Sequence, residues 1–186
     1  MAVAAPRRRF TADDYQRMGE AGILGKADRV ELLDGEIVAM TSIGPRHGAS
    51  VDRVARALIL SLGESAIVRV QGSVRLDAFN EPEPDIVVLK PRADFYASAL
   101  PGPAEILLII EVSESSASYD RSVKPSLYAR TGVVEYWLAD LTAGVVTCHA
   151  APANGTYSEL RQVQRGEPMT PLLLPDCTIL ADDLLS

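Results

Sequence analysis

Two short apolar runs constrain this chain most: Ile86-Val87-Val88-Leu89 and Ile106-Leu107-Leu108-Ile109-Ile110. Each has the length of a strand buried on both faces, and such strands belong in the middle of a covered sheet. Each run also carries one carboxylate where a carboxylate is costly, Asp85 at the start of the first and Glu111 at the end of the second. A buried, unpaired carboxylate is strongly unfavourable, so each needs a compensating partner. A divalent cation is one candidate. The plainer reading for either residue alone is a surface strand cap touching water or an arginine. Taken together, the pair favours a metal site.

The rest of the chain can be arranged around these runs. Thr11-Ala12-Asp13-Asp14 has the form of a helix N-cap with an acidic residue three positions on, predicting a short helix to about Gly22. Asp34-Gly35 separates Arg29-Val30-Glu31-Leu32-Leu33 from Glu36-Ile37-Val38-Ala39-Met40, which is a strong hairpin signal. Glu31 then lies on a strand among core residues, a third carboxylate in an unfavourable place. Gly44 to Gly48 reads as a loop, followed by Val51, Val54, Ala55, Leu58, Ile59 and Leu62 at helical spacing with Gly63 as the stop. Arg46 and His47 therefore fall at a helix N-terminus, whose free N–H groups and partial positive charge suit an anion such as a substrate phosphate. A lone His in that place is more often a cap or surface residue than a catalytic one.

Ala66–Val70 and Ser73–Asp77 read as strands around Gln71-Gly72, and residues 91–103 as a loop rich in Pro, Ala and Gly. After the Glu111 strand and a polar loop, the pattern turns helical from about Asp120 to Thr131-Gly132, with Pro125 suited to a first turn. Lys124 and Tyr128 share one face of that helix. Asp120, four residues before Lys124, offers it a surface ion pair worth only about 0.2–0.5 kcal/mol. Val133–Asp140, Val145–His149 and Tyr157–Val163 read as strands, the last as an edge hairpin, with His149 structural and a short amphipathic piece ending at Leu185. This order predicts a mixed β-sheet core flanked by helices, an α/β (α+β) domain of residues 10–186 behind a flexible tail of residues 1–9.

Composition excludes several classes. With 18 basic against 25 acidic residues and a net charge of -7, the chain lacks the excess positive charge that grips nucleic acid by bulk electrostatics, though a local basic groove is compatible with it. Arg7-Arg8-Arg9, the one basic run, reads as a solvated tail. No apolar run is long enough to span a bilayer, and the N-terminus lacks the apolar core of a secretion signal, so no membrane association and a cytoplasmic location are expected. Cys148 and Cys177 stand at no metal-ligand spacing and read as buried, reduced thiols.

Glu31, Asp85 and Glu111 on three strands, with Lys124 on the helix after the last, form a group with a definite chemical use. Oxygen ligands of this kind hold a hard cation such as Mg²⁺, with Mn²⁺ as a substitute. Such an ion lowers the pKa of bound water and neutralises a phosphodiester, while a nearby ammonium can orient the water or stabilise charge on the phosphate. Phosphodiester hydrolysis is the reaction class these groups fit best.

Pro84-Asp85, Glu111-Val112-Ser113, the spacing of Asp120, Lys124 and Tyr128, and the block Gly132 to Asp140 resemble the bacterial Uma-two family of the PD-(D/E)xK nuclease superfamily. The resemblance runs from about Phe10 to the C-terminus and includes the Glu31 to Glu36 hairpin and His47. It implies a restriction endonuclease-like fold and a metal-dependent DNA endonuclease in which Asp85 and Glu111 bind the metal and Glu31 joins them. Ser113 stands where the superfamily has its lysine, and the resemblance implies that this role has moved to Lys124, with Tyr128 and Ser113 as supporting neighbours. Tyr128 is equally suited to the core. Nucleases that cut both strands often pair two sites by two-fold symmetry, which makes a homodimer the expected assembly. Two other readings stay open: a non-catalytic binding or regulatory module that keeps the fold, and a hydrolase of another phosphate-bearing substrate.

Overall fold

In the computed structural model, which describes residues 8–25, 28–40, 42–114 and 122–185, the chain begins with a capped helix. Helix α1 (Ala12–Glu20) starts with a capping box: the Thr11 hydroxyl accepts from the Asp14 N–H at 3.1 Å, and the Asp14 carboxylate accepts from the Thr11 N–H at 3.0 Å. Strands β1 (Val30–Leu33) and β2 (Glu36–Ala39) follow as the predicted hairpin. Its turn residues Asp34 and Gly35 both have positive φ, 52° and 75°, as a two-residue turn matching the strand twist requires. Leu32 and Leu33 are both buried, from opposite faces of the hairpin, and Leu32 bridges Glu81 in the chain ahead of the central strands. Arg9 and Arg130 both pair with Asp34, and Arg9 stacks on Phe79 at 4.2 Å, so Arg9 is engaged with the domain.

Helix α2 (Pro45–Leu62) buries Ser50, Val51, Val54, Ala55, Leu58 and Leu62, the face its helical spacing predicts. It begins earlier than expected. Pro45 occupies its first turn, where a missing N–H costs nothing, and so Arg46 and His47 lie within the helix and not in a loop before it.

Strands β3 (Ile67–Val70), β4 (Ile86–Leu89) and β5 (Ile106–Ser113) come next, followed by helix α3 (Lys124–Arg130). Strands β6 (Glu135–Asp140), β7 (Val145–Ala153) and β8 (Thr156–Gln164) complete a six-stranded sheet of order β3-β4-β5-β6-β7-β8. The end of the chain adds β9 (Pro168–Met169), β10 (Ile179–Leu180) and α4 (Asp182–Leu185). Every pairing in the large sheet is antiparallel except β5–β6, which is parallel and needs the crossover that carries α3. The sheet is therefore mixed and helix-flanked, as expected.

Strands β4 and β5 are buried along their whole length, which is why their sequences are apolar on both faces. Ile86, Val88, Leu108 and Ile110 face α2 and α4, together with Trp137 and Val146. Val87, Leu89 and Ile109 face the other way, toward Leu33, Leu127, Tyr128 and Tyr136. Each of these side chains stabilises the fold by about 1.5–3 kcal/mol relative to exposure. Beneath α3, Tyr128, Tyr136, His149 and Tyr157 form a row of ring contacts with centroids 5.1, 5.1 and 5.7 Å apart, a structural setting for His149. Cys148 and Cys177 are buried free thiols, and burial pushes Cys148 up to about 12.

One strand prediction fails. Ser73–Asp77 forms no ladder beyond a single Asp77–Asn80 bridge. Gln71 has φ 47°, which turns the chain out of β3, and the Val74 N–H then goes to the carbonyl of Pro82. Pro82 and Pro84 have no N–H to return, so a regular ladder cannot form. Asp120 lies outside the described residues, as does Arg7. No helix among the described residues is long and apolar enough to cross a membrane.

Candidate active site

The antiparallel register of β4 and β5 sets Ile86 beside Ile110. One further step along it places Asp85 opposite Glu111, on the face that α3 covers. The backbone ties the two together: the Asp85 N–H donates to Glu111 Oε2 at 3.3 Å, and the Val112 N–H donates to Asp85 Oδ2 at 2.9 Å. Their carboxylates thus lie within roughly 7 Å of each other, since Asp85 spans only a few bonds from its nitrogen to its oxygens.

The parallel crossover returns the chain over Glu111, and the first turn of α3 delivers Lys124. Its ammonium donates to Glu111 Oε1 at 2.9 Å and lies 3.2 Å from Glu31 Oε1. The Tyr128 hydroxyl, one turn on, donates to the same Glu111 Oε1 at 2.8 Å. Glu31 arrives from β1 and accepts from the Glu83 N–H at 3.2 Å. Relative exposures of 5% for Glu31, 9% for Asp85, 4% for Glu111 and 4% for Lys124 make this a buried charge cluster. Such a cluster survives only if its members satisfy one another.

His47, in the first turn of α2, closes the group from the other side, with Nε2 3.0 Å from Asp85 Oδ2. The hydrogen bond to Asp85 raises its pKa despite the opposing effect of burial. A raised folded pKa stabilises the protein below the unfolded value near 6.5, and that contribution is lost as pH rises through the folded value. The stability gap between wild type and His47→Gln is therefore expected to be larger near pH 5.5 than near pH 9, read as urea midpoints. A gap that does not change with pH would show that Asp85 does not hold an imidazolium. The Tyr128 phenol, pushed far up by burial and by the Glu111 charge, stays protonated and so remains a donor.

Glu31, His47, Asp85, Glu111 and Lys124 open on a cavity of about 160 Å³, with Tyr128 behind them. Arg29 and Glu83 also line it, and Val38, Ala39, Met40 and Ile43 form an apolar wall from the hairpin and the segment after it. Burial pushes the Glu83 carboxyl up, with Arg29 opposing. Sequence reading missed both residues as site members. The available signal was period two, since Arg29 stands two before Glu31 and Glu83 two before Asp85.

Asp85, Glu111, Glu31, Lys124, Tyr128 and His47 come together as the sequence suggested. Arg46 does not. Its guanidinium turns away to the Leu141 carbonyl at 2.9 Å, and it does not line the cavity. Ser113 is buried two residues beyond Glu111 and also lies outside the cavity lining.

Among the described residues, no three His, Cys, Asp or Glu side chains already converge as a metal cage. A hard cation such as Mg²⁺ needs no cage, because it takes one or two carboxylates and keeps waters for the rest. The adjacent all-oxygen pair Asp85 and Glu111 meets that need.

Comparison with known proteins agrees with this architecture. The Uma2 family model, whose description reads "Putative restriction endonuclease", matches residues 12–182. No curated protein matches the chain. Among solved structures, a protein from Anabaena variabilis described as a "putative nuclease belonging to DUF820" superposes with a TM-score of 0.74. It is 16% identical and the match covers 94% of this chain and 97% of that one, a likeness of fold. Because the family match takes in all four buried charges and nearly the whole length, the chain belongs to the Uma2 family.

Proposed function

We propose that this protein is a metal-dependent endonuclease that hydrolyses phosphodiester bonds in DNA. The observation that carries the reading is the placing of Asp85 and Glu111 opposite each other on two buried strands, with the Lys124 ammonium on Glu111. Asp85 and Glu111 would hold Mg²⁺, or Mn²⁺ in its place, with Glu31 at the edge of the set. When bound, such an ion supplies an activated water and neutralises phosphate charge.

The chain's own groups do the remaining work. Lys124 is held by two carboxylates and aimed at the cavity, where it can orient a water or donate to a phosphate oxygen. Tyr128 fixes the Glu111 oxygen that Lys124 also binds, so the ammonium keeps one direction. His47 sits beside Asp85 at a helix N-terminus, where its N–H can meet a phosphate. With a net charge of -7, bulk electrostatics does not supply affinity for DNA, so local contacts around this cavity would carry it.

A second reading has one observation in its favour. Lys124 already pairs with both Glu31 and Glu111, so those charges are satisfied with no cation, as a non-catalytic binding module would require. Incubation of supercoiled and linear DNA with Mg²⁺ or Mn²⁺ separates the two. Nicking or linearisation that stops with EDTA is the expected result. No cleavage above background with either ion, on duplex or single-stranded DNA, overturns the nuclease reading in favour of the module.

A further inference from the structure

Strand β8 is the outer strand of the six-stranded sheet, and among the described residues no strand pairs with its far edge. It is nine residues long, contains no proline, and exposes residues 158–162 in an unbroken row, with Leu160 at 66%. A free edge of this length is a template for another strand, and neither a proline nor a bulge interrupts β8.

The residues on that edge are self-complementary. When two copies pair antiparallel with Leu160 facing Leu160, Glu159 faces the partner's Arg161, Arg161 faces the partner's Glu159, and Ser158 faces the partner's Gln162. Opposed residues must point to the same face, so the alternative registers shift the centre by one residue. One of them sets Glu159 against Glu159 and the other sets Arg161 against Arg161, both like-charge contacts that destabilise a pair of strands. Charge therefore favours the Leu160-centred register over both of its neighbours, and that register makes the edge of one copy complementary to the edge of a second.

The setting favours the same occupant. Glu159 and Arg161 lie opposite Ala150 and Cys148 on β7, hence on one face of the sheet. Beside them is a cavity of about 470 Å³ also lined by Glu135, Leu160 and Leu172. Leu172, 55% exposed, adds apolar surface to that cavity. Among the described residues the Glu159 carboxylate has no ion-pair partner.

We propose that β8 is the interface of a homodimer, formed by antiparallel pairing of β8 with β8 of a second copy about a two-fold axis at Leu160. The two sheets then become one sheet of twelve strands. The Glu111 carboxylates of the two copies then lie seven strand spacings apart across it, a lateral separation on the order of 30 Å. This inference rests on the fold and the edge sequence, and not on the nuclease reading.

The test is a charge swap, followed by sedimentation equilibrium with circular dichroism as the control for folding. Wild type is expected to be a dimer, and Glu159→Arg or Arg161→Glu alone to weaken it by about ten-fold or more. The double variant Glu159→Arg/Arg161→Glu restores opposite charges in the same register and should restore the dimer. An equimolar mixture of the two single variants should form a heterodimer, because one then carries two arginines and the other two glutamates. Arg161→Glu also brings a negative charge near buried Glu135, so Glu159→Arg keeps the test valid if that variant misfolds. A wild type that stays monomeric to about 100 µM overturns the proposal, as does a folded Glu159→Arg that dimerises like wild type, or a folded double variant that fails to recover.

Discussion

Asp85→Asn should reduce metal-dependent DNA cleavage by roughly 10²–10³-fold or more while leaving the fold intact. Asparagine is nearly isosteric with aspartate, and its amide oxygen can still accept from the Val112 N–H and from His47. What it loses is the negative charge that faces Glu111, and with it the attraction for a hard cation. Single-turnover cleavage in Mg²⁺, alongside calorimetric titration of Mn²⁺ into the DNA-free protein, separates the two contributions. Weakened ion binding and lost cleavage are expected together. Cleavage at the wild-type rate by a folded Asp85→Asn protein would remove Asp85 from the site.

The largest effect on stability is expected from Lys124→Met. The substitution keeps the buried stem of the side chain but leaves Glu31 and Glu111 beside each other with no cation between them. Breaking a buried ion pair from one side costs about 3–5 kcal/mol, because an uncompensated charge stays in a low-dielectric interior. Urea unfolding at neutral pH should show that loss, and Glu31→Gln in the same chain should recover part of it. If the carboxylates also bind a divalent ion, millimolar Mg²⁺ will stabilise the variant more than wild type, since the ion takes over the neutralising role of the ammonium. A loss below about 1 kcal/mol would mean that the cluster is open to water and not a buried network.

Much of this arrangement is legible before any coordinates, for physical reasons that differ from residue to residue. Apolar runs such as Ile86–Leu89 and Ile106–Ile110 have one sensible place in a fold, and a carboxylate at the end of such a run has few acceptable partners. Asp34-Gly35 names its turn because only certain residues take positive φ in succession. Lys124 and Tyr128 reach one oxygen of Glu111 because residues four apart share a helix face. The failures share a cause, which is that tertiary contacts redirect groups whose local signal is weak. Ser73–Asp77 has strand-like residues, but its hydrogen bonds are claimed by Pro82 and Asn80, which return no regular ladder. Arg46 has the charge for a phosphate, yet its long side chain finds the Leu141 carbonyl first. Arg29 and Glu83 gave no motif of their own and became visible only once the strands that carry them were placed.

The chain has a single tryptophan, Trp137, which is fully buried on β6 with its indole N–H on Glu135 at 2.6 Å. It lies beside Ile110 and faces α2, whereas Glu111 faces α3 on the other side of the sheet. Its fluorescence therefore reports on one point of the core, shielded from the carboxylate cluster by the sheet itself. Ion binding near Asp85 should leave the emission maximum almost unmoved, and a red shift marks opening of the core rather than occupancy of the site. The protein thus carries an intrinsic optical probe that reports folding with little interference from whatever its cavity holds.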